Sequence, residues 1–193
     1  MIIGITGGTG CGKTTLLKVV EQLGGVVIDC DAVYHDLLRT DLGLLNAIED
    51  RFPGTVEDGV LQRKRLGSIV FSDPAALQDL NRLTHSAVKA QVIQLLTPEP
   101  TLAAIDAIGL FESGLSELCK LTLAVTAPDE LRVARLMARD GITEEYARAR
   151  IAAQRPQGEF SALCDHTLVN DGTSAAFEEE CFQFFAKLGI MKP

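Results

Sequence analysis

At 193 residues, with 47% apolar and 23% charged side chains, the chain has the size and composition of one ordinary globular folding unit. Its 18 basic and 26 acidic residues give a net charge of −8, which argues against a protein that coats nucleic acid or an anionic membrane. A polyanionic small molecule would need a local site of backbone amides, a few Lys and Arg and a metal ion, because the overall field opposes it.

No apolar run approaches the roughly 20 residues that span a bilayer. The start Met1-Ile2-Ile3-Gly4 carries no basic leader, so no secretory signal is expected. Five scattered cysteines without CxxC or CxxH spacing read as reduced thiols of a cytoplasmic protein, not as a disulfide framework or zinc site.

Ile2 to Ile5 reads as a buried strand, and Leu16, Leu17, Val20 and Leu23 mark a helix from Lys13 that Gly24-Gly25 stops. Val26-Val27-Ile28 is a second strand ending at Asp29-Cys30-Asp31. Residues 32–96 show almost no strand signal; helical stretches break at Asp41, Pro53-Gly54, Asp58-Gly59 and Ser72-Asp73-Pro74. Leu102 to Ile108 and Leu121 to Thr126 are the next strands. Pro128 opens a helix to about Arg139, and Thr143-Glu144-Glu145 caps another that runs to about Gln154. Thr167-Leu168-Val169 is the last strand, before a helix from about Thr173 to Leu188. Parallel strands separated by helices predict a doubly wound α/β sheet.

The segment Gly7-Gly8-Thr9-Gly10-Cys11-Gly12-Lys13-Thr14 fits G-x-x-x-x-G-K-[ST] between a buried strand and an amphipathic helix. Glycines let successive amides turn inward around an anion, and the helix N-terminus adds partial positive charge. Lys13 then reaches the β- and γ-phosphates of ATP, and the Thr14 hydroxyl ligates Mg²⁺. A dinucleotide fingerprint fails, since Lys13 stands where that pattern needs glycine. The bland alternative is a glycine-rich turn of no chemical use.

Asp29 and Asp31 follow the second strand, expected next to the first, where ligands of open α/β sheets lie. Two apart in extended chain, both would face the γ-phosphate, as proton acceptor or holder of a metal-bound water. The alternative is an Asx-type cap for the next helix. Asp106 and Glu112 are either further Mg²⁺-organising acids or turn residues. Arg132, Arg135 and Arg139 share a helix face, and Arg148, Arg150 and Arg155 follow. They form either a lid that neutralises charge and excludes water or a solvated surface; Arg139 favours the first and Arg148 the second. His35 and His166 read as structural.

Over nearly its whole length the chain resembles the dephospho-coenzyme A kinases. The resemblance lies in the order of several segments: the phosphate loop, Val27-Ile28-Asp29-Cys30-Asp31, Gly59 to Phe71, Leu80-Asn81-Arg82-Leu83-Thr84-His85, Leu110-Phe111-Glu112, Arg135 to Asp140, Arg150 to Gln154, and Val169-Asn170-Asp171-Gly172. It implies a P-loop NTPase core (1–31, 97–136 and 156–193) with a central parallel sheet flanked by helices, a helical acceptor-binding insertion (32–96) and a helical lid (137–155). It further implies that Gly8, Gly10, Cys11, Gly12, Lys13, Thr14 and Thr15 bind ATP phosphates, that Asp31 is the catalytic base and Arg139 a phosphate-binding lid arginine. Arg63, Asn81 and His85 fall on the acceptor side, and Asn170 near the adenine. The family commonly has proline after the histidine and a Pro-Leu-Leu-Phe-Glu segment; here Ser86 follows His85, and Ile108-Gly109 precede Leu110.

The function expected is ATP- and Mg²⁺-dependent phosphorylation of the ribose 3′-hydroxyl of dephospho-coenzyme A, by a cytoplasmic monomer or weak homo-oligomer without nucleic-acid or membrane partners. The alternatives are a P-loop kinase for another nucleoside or nucleotide, and a nucleotide-sensing module that binds ATP without transfer.

Overall fold

The computed structural model describes residues 1–191; Lys192 and Pro193, the end of the expected core range, lie outside the described residues. Strand β1 (Ile2–Thr6) leads through the phosphate loop into α1 (Lys13–Gln22) and β2 (Val26–Asp29). Then come α2 (Cys30–Thr40), α3 (Leu42–Arg51), a hairpin of β3 (Val56–Glu57) and β4 (Val60–Leu61), α4 (Arg63–Val70) and α5 (Pro74–Leu95). The chain re-enters the sheet as β5 (Ala103–Asp106) and β6 (Leu121–Thr126). It closes with α6 (Asp129–Asp140), α7 (Glu144–Ala152), α8 (Gln157–Leu163), β7 (His166–Val169) and α9 (Ser174–Lys187).

Five strands form one parallel sheet in the order β2-β5-β1-β6-β7. The expected α/β architecture of a parallel sheet between helices is thus observed. Because β1 lies between β5 and β6, the loop that leaves it opens at the carboxyl edge where the connections diverge, the place such sheets bind ligands. One expectation is corrected: β2 is not next to β1, since β5 separates them. The carboxylate beside the phosphate loop therefore comes from the end of β5, as Asp106.

Alternation along the strands sorts side chains to two faces. Ile28, Ala103 and Ile105 pack with Leu37, Leu38, Leu80 and Val88 of the helices that follow β2. Ile3, Ile5, Ala104, Leu123 and Val125 pack with Leu16, Val20, Phe177 and Phe185 of α1 and α9. The helical segment after β2 thus shares a core with the sheet. Phe177 and Phe185 are fully buried, and each such ring contributes about 1.5–3 kcal/mol relative to exposure. The α6–α7 pair has a small cluster of its own, Val133, Leu136 and Ala147 with Ile142 and Ile151.

Three local features differ from expectation. Asp58-Gly59 is a hairpin turn rather than only a helix break: φ is 51° at Asp58 and 75° at Gly59, the positive pair that joins tightly twisted strands. Helix α8 was not anticipated. Asp29 and Asp31 are not two extended residues facing one way, because α2 already begins at Cys30, inside the expected core range.

Candidate active site

The phosphate loop is shaped by backbone that few residues adopt. Gly7, Gly10 and Gly12 have φ of 145°, 75° and 101°. At Gly12 a Cβ would also overlap the amide nitrogen of Asn170. Among the described residues no side chain caps α1, so its N-terminus faces the loop uncapped; the Thr15 amide turns back to Gly12 O at 3.0 Å. Lys13 Nζ donates to the Gly7 carbonyl at 2.9 Å, folding its ammonium across the mouth.

Residues far along the chain fasten this loop. Arg132, 2% exposed, donates from Nε to Thr9 O (2.9 Å) and from Nη1 to Asp129 (2.9 Å). The Thr9 amide donates to Gln154 Oε1 at 2.7 Å. Arg135 donates to Asn170 Oδ1 at 2.9 Å, and Asn170 Nδ2 donates to Cys11 O at 3.0 Å. Asn170, expected near the adenine, is thus buried behind the loop with both ends of its amide engaged, and it does not line the cleft. Arg132 and Arg135 are read from sequence only as part of a lid or a solvated surface, not as supports of the loop, and Gln154 is given no role of its own. Their signal was present in the shared helix face of the arginines, but which face turns inward is a tertiary fact.

In front of the loop lies a cleft of about 410 Å³. Gly8, Gly10, Cys11, Gly12, Lys13 and Thr14 line it, with Asp31, Asp106, Arg135, Arg139, Arg150 and Gln154. Thr15, expected among the phosphate ligands, stands one residue behind and does not line it. Four basic side chains face two acidic ones, so the cleft is locally cationic within an acidic protein. Cys11 is 1% exposed, and burial raises its thiol pKa, so it packs as an inert side chain.

A second cavity of about 220 Å³ adjoins the first, and Asp31 and Ile108 line both. Asn81 and His85 from α5 lie in it, with Tyr34, Thr84, Gly109 and Ser113. Two of the three expected acceptor residues are therefore brought together. Arg63 lines a third cavity of about 260 Å³ with Leu66, Val70 and Phe71, joined to the second through Tyr34 and Leu80. The departure at Ile108 falls in the wall between cleft and second cavity and that at Gly109 in the second cavity, whereas Ser86 faces elsewhere, beside Arg82 and Leu83.

The carboxylates have distinct surroundings. Asp29 caps α2, its Oδ1 accepting from the amides of Asp31 (2.9 Å) and Ala32 (3.0 Å), which realises the Asx-cap alternative for that residue. Asp31 is exposed in the first turn and faces both cavities. Asp106 Oδ1 is buried and has no hydrogen-bond partner among the described residues. Burial pushes its pKa up to about 6; Lys13 opposes the shift, and Asp29 and Asp31 add to it. Glu112 pairs with Arg155 outside the cavities. Arg148 binds Glu130 and Glu144 at the surface, matching the solvated role expected for it. His166 rests edge-on against Phe184 at 5.4 Å, and His35 tilts against Tyr34 at 5.4 Å.

The family profile described as dephospho-CoA kinase matches residues 1–176. A dephospho-CoA kinase of Lactobacillus acidophilus is 33% identical over 194 residues, covering 97% of this chain and 96% of the relative. Among solved structures, a Thermus thermophilus protein superposes with a TM-score of 0.79 at 34% identity, covering 97% of both chains. A dephospho-CoA kinase from Campylobacter jejuni gives 0.69 at 27% identity, over 97% of this chain and 96% of that one.

Proposed function

The chain belongs to the dephospho-CoA kinase family, and from that premise we propose how its own residues divide the work. The reaction is transfer of the γ-phosphoryl group of ATP to the ribose 3′-hydroxyl of dephospho-coenzyme A, the last step in forming coenzyme A. One observation carries the residue assignment: Asp31 lines both the cleft beneath the phosphate loop and the cavity that adjoins it.

ATP phosphates bind the loop amides, and Lys13 leaves the Gly7 carbonyl to reach the β- and γ-oxygens. The acceptor ribose enters between Asp31, Asn81 and His85, with the rest of the molecule directed toward Arg63. Asp31 accepts the proton of the attacking hydroxyl. Arg139 and Arg150 meet charge on the transferring group, and the α6–α7 segment acts as the lid over residues 137–155, with 32–96 as the acceptor-binding part. The Thr14 hydroxyl and the unpartnered carboxylate oxygen of Asp106 fit Mg²⁺ and would hold it, and the ion would supply neutralisation of phosphate charge. The enzyme acts in the cytoplasm, as a monomer or weak homo-oligomer.

The test is ADP release measured with and without dephospho-coenzyme A, with and without EDTA. Acceptor- and metal-dependent ADP is expected. Turnover only with another nucleoside would assign a different acceptor, and ATP binding without transfer would make the protein a nucleotide sensor.

A further inference from the structure

Arg139 lies one residue before the end of α6 and Arg150 near the end of α7, yet both line the nucleotide cleft. Asp140 joins them. Its Oδ1 accepts from Arg139 Nε at 2.7 Å and its Oδ2 from Arg139 Nη2 at 3.0 Å; the same Oδ2 accepts from Arg150 Nη1 at 2.6 Å. We propose that Asp140 is a positioning residue for phosphoryl transfer, holding Arg139 and Arg150 as a paired cationic clamp across the α6–α7 joint. The proposal rests on the phosphate-binding role given above to Arg139.

The donor inventory allows both engagements at once. Each guanidinium carries five N–H groups. Asp140 takes two from Arg139 and one from Arg150, so most donors of each remain for phosphate oxygens. Two cations bound to a shared carboxylate would repel in its absence and swing apart, because both side chains are long and partly exposed (59% and 37%). The carboxylate is the least exposed of the three at 24%. The two arginines hold its pKa down to about 2, so it stays anionic wherever the enzyme works. The helix joint does not depend on it: Gly141 ends α6 at φ 65°, and Val133, Leu136 and Ala147 pack the two helices together. Arg148 on the same helix pairs with Glu130 and Glu144 and does not line the cleft, so an ion pair in this segment does not by itself imply the role.

A rival arrangement uses the same contacts with the opposite sign: Asp140 as a latch that competes with phosphate. Removing a negative charge beside a polyanion site tightens ATP in either case, so kcat decides. For Asp140→Asn, the clamp predicts a roughly tenfold lower kcat with ATP binding no weaker than wild type. In an Arg139→Ala background the same substitution should cost less than about threefold, because Asp140 acts through that arginine. Asp140→Glu, which keeps the charge, should recover part of kcat and covers the case in which the Asn variant fails to fold. An unchanged or raised kcat in folded Asp140→Asn, an equal loss in both backgrounds, or a Glu variant no better than Asn would overturn the clamp. Wild-type turnover with dephospho-coenzyme A and its loss in Arg139→Ala are measured first, so failure of the underlying assignment is seen separately.

Discussion

Asp29 and Asp106 are direct partners across the β2–β5 ladder, so two carboxylates end neighbouring strands at the same edge of the sheet. Their neighbours divide their roles. Asp29 is engaged in capping α2, whereas Asp106 keeps a buried oxygen without a partner beside the phosphate loop.

Asp106 therefore weakens the fold at neutral pH. Its folded pKa of about 6 lies above the ordinary value of 3.8, so folding takes up a proton between those limits. The penalty is present above pH 6 and gone below about pH 4, with an upper size on the order of 3 kcal/mol. In metal-free protein, Asp106→Asn should raise the melting temperature at pH 7.5 and leave it unchanged at pH 4, while lowering turnover. Thermal melts at the two pH values check this; an equal shift at both would mean that the carboxylate is not the source.

How far the sequence disclosed the site follows from which facts are local. The phosphate loop is contiguous, and its strand, glycines and helix were legible from spacing. The Asp29-Cys30-Asp31 segment was legible too, but its geometry was not: strand order and the start of α2 at Cys30 decide that Asp29 caps and Asp106 stands beside the loop. The arginine face of α6 was visible as a period. That Arg132 turns inward to be 2% exposed beneath Thr9 is set by packing 123 residues away in sequence.

Asn170→Ala should loosen the phosphate loop. The change removes a buried bridge from Arg135 to the Cys11 carbonyl and leaves both groups short of a partner, a loss of about 1–3 kcal/mol. ATP affinity should fall together with stability. Lys13→Ala behaves differently, losing transfer while melting near wild type, since the Arg132 and Asn170 ties remain. Calorimetric ATP titration and melts of the two variants separate loop support from phosphate contact.

Residues 137–155 should gain protection from hydrogen exchange when ATP and acceptor bind together. Without ligand the segment is fastened to the rest through the small cluster of Ala147, Ile142 and Ile151 on Val133 and Leu136, through Gln154 at Thr9, and through exposed ion pairs such as Arg148–Glu130, which hold weakly. Phosphates would add charge-assisted bonds to Arg139 and Arg150. Equal exchange with and without both ligands would show that the segment does not act as a lid.

Asp31→Asn should lose far more kcat than ATP affinity, by about 10²–10⁴-fold if general-base action is in full use. The expectation rests on what the side chain does not do. Its backbone amide is held by Asp29 Oδ1, and the cap of α2 is therefore Asp29, not Asp31. An amide of the same shape at position 31 leaves that cap, the helix and the cleft wall in place while removing charge and basicity. Asp29→Ala supplies the contrast, because removing the cap costs about 1 kcal/mol of stability and shifts α2 together with the Asp31 it carries. Phosphoryl transfer is often loose, with little proton movement early in the step, so the fall for Asp31→Asn should sit near the lower end of the range. Steady-state kcat, calorimetric ATP affinity and melting temperature, measured on both variants, give the full comparison. Wild-type turnover in folded Asp31→Asn would remove the base from this position. A carboxylate lining both cavities would then serve to orient the acceptor hydroxyl, a role an amide fills equally well.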